Sequence, residues 1–171
     1  AISFDGLDDR IGISTWKILT WNWFTISLWT KSTNQLSWYR TYHKDIIHSS
    51  LFSISTAWSF NSNNLFLVNY RRLNGDNTTQ WENTIQETLN KDNYDYITYI
   101  MDRSSLTYYV YLNWVLIKKV NKSFVSSMNN IDWLFIWNWR WGRYKWIIDE
   151  LRIYNRALSD TEVKTLYDAT K

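Results

Sequence analysis

Few residues in this sequence have the types and spacing that catalysis or metal binding requires. Retaining hydrolysis of a glycosidic bond needs two carboxyl groups about 5 Å apart. Asp149 and Glu150 are adjacent in an extended segment, and because side chains alternate along a strand, their carboxylates are expected on opposite faces. In an extended segment His43 and His48 would also face opposite sides. They are therefore expected to be polar loop residues and not zinc ligands. The spacing therefore predicts neither hydrolysis nor zinc binding.

The sequence also lacks the motifs of several other function classes. It contains no Cys, so no disulfide framework is possible. No Ser lies in a nucleophile elbow, and no Gly-rich loop is available to hold a phosphate. Lys and Arg number 19 against 16 Asp and Glu, and this net charge of +3 without a basic cluster predicts no nucleic-acid partner. No apolar run approaches the roughly 20 residues of a membrane span, so we expect no membrane insertion.

The element that must position Asp149 is a strand predicted over residues 145–154. This segment is rich in β-branched and aromatic residues, which is typical of strands. Strict alternation predicts two faces for this strand. One face carries Ile147, Asp149, Leu151 and Ile153, and the other carries Ile148, Glu150, Arg152 and Tyr154. Charged residues in an apolar strand are costly unless cations or donors satisfy them, so both carboxylates are expected to have partners.

A short C-terminal helix follows that strand. Ser159 and Glu162 have the spacing of a capping box, in which each side chain bonds to the other residue's backbone amide. Leu158 and Val163 flank the box at the positions of a hydrophobic staple. Asp160 adds a favourable negative charge to the first turn. The pattern predicts a helix that begins immediately after Ser159.

The rest of the chain predicts about a dozen short strands. Alternating segments are separated by turn residues, with a hairpin expected between 51–58 and 65–71. Residues 84–89 are ambiguous between strand and helix. The predicted fold class is all-β, with two packed antiparallel sheets and one short C-terminal helix, in a single domain spanning 1–171. The first and last strands are expected to be neighbours, which would tie down both ends of the chain.

Glycine is scarce and tryptophan is abundant, with 4 Gly and 13 Trp. A sandwich of this size needs more turn glycines than that. Asn113-Trp114 joins two alternating segments where Asn-Gly is the usual hairpin pair, and both central residues of such a turn need positive φ. A Trp there costs on the order of 1–2 kcal/mol, because its Cβ crowds the carbonyl.

Four segments together resemble one known family. They are SFDGLDDRIGI (3–13), FTISLWTK (24–31), YITYIMDRSSLTYYVYLNWVLI (96–117) and IIDELRIYNRALSDTEVKTLY (147–167). In this order they resemble bacterial laminin-G-like domains of the concanavalin A-like lectin/glucanase superfamily. The resemblance implies a jelly roll with one concave sheet. Glycosidases of the superfamily carry a Glu-x-Asp-x-x-Glu pattern, and the glutamates of this chain do not have that spacing: Glu82, Glu87, Glu150 and Glu162.

The resemblance implies a non-catalytic module of an extracellular or cell-surface protein, with a glycan or a surface protein as partner. Carbohydrate binding is the first hypothesis, a protein-interaction or spacer module the second, and a degenerate glycosidase the third. The chain begins at Ala1 with a predicted strand and without Met, so we expect it to be a module of a longer or processed protein with flanking domains.

Four tryptophans stand where the family pattern carries Gly: Trp114, Trp137, Trp139 and Trp146. UGA encodes Trp in one variant genetic code and Gly in another. The hypothesis is that these positions are UGA codons that specify Gly in the native protein. The alternative is a module that is truly rich in Trp, whose rings stack on sugars.

The resemblance also implies one structural calcium ion. Asp149 matches a final-strand Asp that ligates calcium in related glucanases, and Asp5 with the Gly6 carbonyl would supply oxygens from the turn after the first strand. The alternative is that Asp149 accepts turn amides or pairs with Arg152 or Arg10.

Sugar sites in this family lie on the concave sheet or in rim loops. Flat aromatic faces and hydrogen-bonding groups suit such a site. The residues of these types predicted to bind a ligand are Tyr39, Tyr42, His43, Arg71, Tyr108 and Trp139. The alternative for each tyrosine is that it is an ordinary sheet residue.

Overall fold

The computed structural model describes residues 1–4, 11–13, 23–32, 43–49, 52–58, 64–73, 79–88, 93–102, 104–105, 107–121, 134–138 and 146–171. In these ranges it contains twelve strands and one helix. Side chains are described for most of the first sheet and for the helix, and in the second sheet for Ile11. Within the described ranges, no helix has the length and apolar character to cross a membrane.

The strands form two six-stranded antiparallel sheets. The first sheet contains β1 (Ile2–Phe4), β3 (Trp23–Ser32), β8 (Asp95–Asp102), β9 (Thr107–Leu112), β10 (Val115–Asn121) and β12 (Trp146–Tyr154). The second contains β2 (Ile11–Ile13), β4 (His43–Ser49), β5 (Phe52–Trp58), β6 (Asn64–Leu73), β7 (Thr79–Thr88) and β11 (Leu134–Asn138). The helix α1 spans Asp160–Thr170. The predicted all-β fold with one C-terminal helix is confirmed.

Two neighbour relations that the sequence predicts are present in the sheets. The first sheet has the order β1-β12-β3-β8-β9-β10, and the second β2-β11-β4-β5-β6-β7. The first and last strands pair directly, with Ile2 opposite Ile148, so the predicted contact between the two ends of the chain is confirmed. The expected hairpin is β5–β6, and the ambiguous segment at 84–89 belongs largely to strand β7.

A β-bulge in β12 corrects the predicted alternation of that strand. Asp149 lies opposite Trp29 and Arg152 lies opposite Ser27, so Asp149 and Arg152 share one face of the sheet. Strict alternation had placed them on opposite faces. Glu150 has φ 49, and a left-handed residue inserted in a strand shifts the register by one and reverses every side chain beyond it.

Both faces of the central strands are buried. On one face of β3, Phe24, Ile26 and Leu28 are at most 1% exposed. On the other face, α1 packs against the sheet through Leu158 and Val163. Burial on both faces is what a sheet covered by a second sheet on one side and a helix on the other requires.

Thr25 fixes the chain where β12 leads into the helix. Its Oγ1 donates to the Arg156 carbonyl at 2.7 Å and accepts from the Leu158 amide at 3.1 Å. At the other side of the helix start, the Tyr111 hydroxyl donates to Asp160 at 2.5 Å. The two Thr25 bonds give partners to backbone groups at the helix start, and the Tyr111 bond ties the first residue of the helix to the sheet.

The start of α1 has the predicted cap. Ser159 and Glu162 form a capping box, with each side chain accepting from the other residue's backbone amide. Arg156 donates to both Glu162 carboxylate oxygens, at 2.9 and 2.6 Å. The Arg156 guanidinium and then the Ser159 amide lower the pKa of Glu162 to about 2.

The β9–β10 hairpin has the predicted turn. Asn113 has φ 50 and Trp114 has φ 66, so both central residues are left-handed, as the Asn-Gly type of hairpin requires. The Asn113 side chain accepts from the Tyr96 amide and donates to Asp95, each at 2.8 Å. Trp114 carries a Cβ that crowds its backbone at positive φ. Gly, which has no Cβ, adopts this conformation without that cost.

Candidate functional site

A cavity of about 470 Å³ lies where the C-terminal end of α1 meets the first sheet. We call it the Tyr94 pocket. Its lining combines aromatic rings with hydrogen-bonding groups: Trp29, Asn93, Tyr94, Asp149, Tyr167, Thr170 and Lys171. The volume lies within the range of about 300–1,000 Å³ typical of small-ligand sites.

The aromatic wall of the pocket is fixed by contacts between strand β3 and the helix. The rings of Trp29 and Tyr167 stack with centroids 5.3 Å apart and an interplanar angle of 29°. The Trp29 indole Nε1 donates to Thr170 Oγ1 at 2.7 Å, and the Thr170 hydroxyl in turn donates to the Leu166 carbonyl at 2.7 Å. Because these rings are held by packing and hydrogen bonds, the wall is formed before any ligand arrives.

Tyr94 forms the exposed side of the pocket. It precedes β8, and 42% of its surface is accessible. The Lys31 ammonium lies 5.5 Å from the centre of its ring, and the Lys171 ammonium lies 5.6 Å from the centre of the Tyr167 ring. Cations at such distances are attracted to aromatic faces. The pocket therefore presents aromatic surface with N–H donors beside it.

Asp149 supplies the carboxylate of the pocket. Its Oδ1 lies 3.1 Å from the Ala1 ammonium and accepts from the Glu150 amide at 3.0 Å. The ammonium and then the amide lower the pKa of Asp149, so this group is ionised at neutral pH and acts as a hydrogen-bond acceptor. The amide that Asp149 accepts from lies within the bulge of β12 and not in a turn, and Arg152 pairs with Glu150 at 2.5 Å.

Tyr108 corrects one prediction about the ligand site. It is 0% exposed, and its ring stacks on Tyr99 with centroids 5.8 Å apart. A sugar cannot reach a ring enclosed in this way. The prediction of Tyr108 as a ligand contact was therefore wrong, and the alternative that it is an ordinary sheet residue applies.

Of the predicted site residues, Asp149 lines the Tyr94 pocket. His43 and Arg71 lie in β4 and β6 of the second sheet, where only the backbone is described. The others lie outside the described residues: Asp5, Gly6, Tyr39, Tyr42 and Trp139. Among the described residues, no group of three or more His, Cys, Asp or Glu side chains is placed to hold a metal ion. The calcium site at Asp149 stays a prediction.

Sequence reasoning did not identify the aromatic wall as a site. Trp29 and Tyr167 lie in two of the segments that resemble the family, 24–31 and 147–167, and neither was predicted to contact a ligand. The available signal was that Trp29 and Tyr167 are aromatic residues that Lys31 and Lys171 follow closely in the sequence. Their convergence with Asp149 depends on strand register and on helix docking, neither of which a single sequence displays.

The two antiparallel sheets and the terminal helix form a jelly roll of the concanavalin A-like type. A family model described as the Concanavalin A-like lectin/glucanases superfamily, of the laminin G type, matches residues 5–164. The chain therefore belongs to this laminin G-type family. No curated protein sequence matches it.

Solved structures similar to this chain include binding domains of botulinum neurotoxins. One is a botulinum neurotoxin type C structure described with cell entry dependent on two ganglioside molecules, with 13% identity, TM-score 0.69 and coverage of 99% of this chain and 42% of that one. The binding domain of Paraclostridial Mosquitocidal Protein 1 has 14% identity and a TM-score of 0.70, and the match covers 98% of this chain and 42% of that one. The binding domain of botulinum neurotoxin DC in complex with rat synaptotagmin II has 15% identity and a TM-score of 0.71, and the match covers 99% of this chain and 42% of that one. At these identities the likeness shows the fold alone, and this chain spans 42% of each of those chains.

Proposed function

We propose that this chain is a non-catalytic binding module that holds a carbohydrate in the Tyr94 pocket. The observation that carries the proposal is the pocket itself, in which a rigid aromatic wall stands next to one carboxylate and one ammonium group. A pyranose has an apolar C–H face and a rim of hydroxyls. Aromatic rings suit the first and charged hydrogen-bonding groups suit the second.

The division of roles follows from exposure and charge. Tyr94 presents accessible ring surface, so it is the residue against which the C–H face of a sugar packs. Asp149 accepts from sugar hydroxyls, and Lys171 and Asn93 donate to them. Trp29 is 7% exposed and acts mainly by holding Tyr167 and Thr170 in place.

The lining favours binding over hydrolysis. Among the described residues that line the Tyr94 pocket, Asp149 is the one Asp or Glu. Glycoside hydrolysis of the usual kind needs an acid and a second carboxylate on the two sides of the scissile bond. A single carboxylate can orient a sugar but cannot perform both roles.

The similar structures support a module of this kind in an extracellular or cell-surface setting. One is described with ganglioside interaction and another with a bound protein, synaptotagmin II. Glycans and surface proteins are therefore the partner classes we propose, with flanking domains in a longer chain. A structural calcium ion at Asp149 is part of the proposal, and its test is given below.

A glycan array followed by calorimetry tests the carbohydrate proposal. We expect saturable binding that Tyr94→Ala and Asp149→Asn each weaken by about tenfold, the loss of roughly 1.4 kcal/mol of contact. Trp114→Ala is the matched control, because Trp114 is 43% exposed, close to the 42% of Tyr94, but it lies at the hairpin tip. Absence of binding to every glycan, or binding that both pocket variants leave intact, would refute the proposal.

A second candidate, protein interaction, is favoured by the tip of the β9–β10 hairpin. Trp114, Val115 and Leu116 are consecutive and 43–50% exposed. Among the described strands, β10 pairs with β9 alone and forms an edge of the first sheet. Consecutive exposed apolar residues on an edge strand mark interaction surfaces. If the hairpin is the functional surface, Leu116→Ser abolishes capture of a protein partner while Tyr94→Ala does not, which reverses the pattern expected for the sugar site.

A further inference from the structure

We infer that a second sugar subsite adjoins the Tyr94 pocket, so that the ligand is an oligosaccharide spanning both. This inference rests on the proposed carbohydrate function. The second cavity has a volume of about 420 Å³, and we call it the bulge pocket. Its lining includes Ile2, Ile11, Ile148, Asp149, Glu150 and Arg152.

The two cavities meet at Asp149, which lines both of them. Each volume, about 420 and 470 Å³, falls within the range of small-ligand sites. Two neighbouring cavities with one shared polar wall suit a ligand built from repeated units. The Asp149 carboxylate would then accept from hydroxyls close to the linkage between two sugar residues.

The backbone at the boundary is held in an uncommon conformation. Glu150 has φ 49, and the bulge it forms brings Asp149 and Arg152 to the same face. A non-Gly residue persists at positive φ where its surroundings impose it, and bulges and strained residues of this kind concentrate at functional sites, where they redirect side chains. Without the bulge, Asp149 and Arg152 could not both face one ligand.

The chemistry of the bulge pocket suits a second sugar residue. Ile2, which is 51% exposed, and Ile11 give it an apolar side for the C–H face of a pyranose. Arg152 donates to Glu150 Oε2 from Nε at 3.1 Å and from a terminal nitrogen at 2.5 Å. This pair is about 40% exposed on both sides, so a donor and an acceptor with a fixed mutual orientation face the solvent where hydroxyls would lie.

A chain-length series tests the inference with the whole chain. The probes are mono-, di- and trisaccharides of glucose, galactose, mannose and N-acetylglucosamine, measured by calorimetry. We expect affinity to rise by about tenfold or more from monosaccharide to trisaccharide in at least one series. Arg152→Ala should lower trisaccharide affinity at least about fivefold more than monosaccharide affinity. Lys118→Ala, an exposed lysine on edge strand β10, is the control and should change neither.

A second variant guards against loss of folding. Glu150→Gly removes the carboxylate and at the same time relieves the positive φ, so it should preserve the fold and show the same selective loss for the trisaccharide. Monosaccharide binding without any gain from chain length overturns the second subsite and leaves the Tyr94 pocket intact. Failure of every saccharide to bind overturns the proposed function and this inference with it.

Discussion

Replacing Trp114 by Gly and by Ala in parallel isolates the backbone strain of the β9–β10 hairpin. Trp114 has φ 66, a conformation that costs a residue with a Cβ about 1–2 kcal/mol. Both variants remove the indole and its contact with the Lys164 ammonium, which lies 5.1 Å from the ring centre. The difference between the free energies of unfolding of the two variants therefore reports mainly the backbone terms.

Two backbone terms oppose each other at this position. Gly loses more conformational entropy on folding than Ala, which costs it about 0.5–1 kcal/mol. Relief of the strain at positive φ is larger, so we expect Trp114→Gly to be more stable than Trp114→Ala by about 0.5–1 kcal/mol. At a domain of this size each kcal/mol shifts Tm by about 2–4 °C.

Val115 provides the matched control, because it is the next residue and 50% exposed but has no positive φ. There the usual order should hold, with Val115→Ala more stable than Val115→Gly by about 0.5–1 kcal/mol. Urea unfolding followed by circular dichroism measures all four variants. If Ala equals or exceeds Gly at position 114, the reasoning from φ is refuted.

The same position bears on the coding hypothesis. We propose that Trp114, Trp137, Trp139 and Trp146 are UGA codons that specify Gly in the native protein. Positive φ supports this at Trp114 alone, because Trp137 and Trp146 lie within strands β11 and β12 and Trp139 lies outside the described residues. UGG codons at these four positions in the gene would contradict the proposal, and the mass of the protein from its native source provides an independent check.

Three further predictions concern the start of the helix and the predicted metal. Thr25→Val should lower the free energy of unfolding by about 2–4 kcal/mol, because the Arg156 carbonyl and the Leu158 amide each lose a partner. Thr25→Ser keeps the hydroxyl oxygen and should lower it by less than about 1 kcal/mol. Equal losses for the two variants in urea titrations would contradict this. Because the pKa of Glu162 is lowered from 4.5 to about 2 in the folded chain, its contribution to stability is complete above pH 4.5 and is lost as the pH falls towards 2. Glu162→Gln should therefore flatten the dependence of unfolding free energy on pH in that window, and an unchanged slope would count against the cap. If calcium binds at Asp149, EDTA should lower Tm in the starting protein but not in Asp149→Asn, and a Tm that EDTA leaves unmoved would argue against the ion.

Sequence reasoning succeeded where the determining interactions are local. The capping box of Ser159 and Glu162 was predicted because its hydrogen bonds span three residues. The left-handed turn at Asn113-Trp114 was predicted because two strands joined by two residues permit few backbone conformations. The sandwich class followed from many short alternating segments, since their apolar faces must cover one another.

The candidate site was decided by the tertiary structure. Glu150 shifted the register of β12 and brought Arg152 to the face that Asp149 shares with Trp29, although local alternation gave no sign of the bulge. Tyr108 proved to be enclosed and Tyr94 exposed, because burial depends on which layer covers each face. The sequence by itself determined the strands, the turn and the helix cap through interactions between near neighbours. Only folding could bring residues from β3, β12 and the end of α1 around one cavity, because register and helix docking depend on contacts between distant parts of the chain.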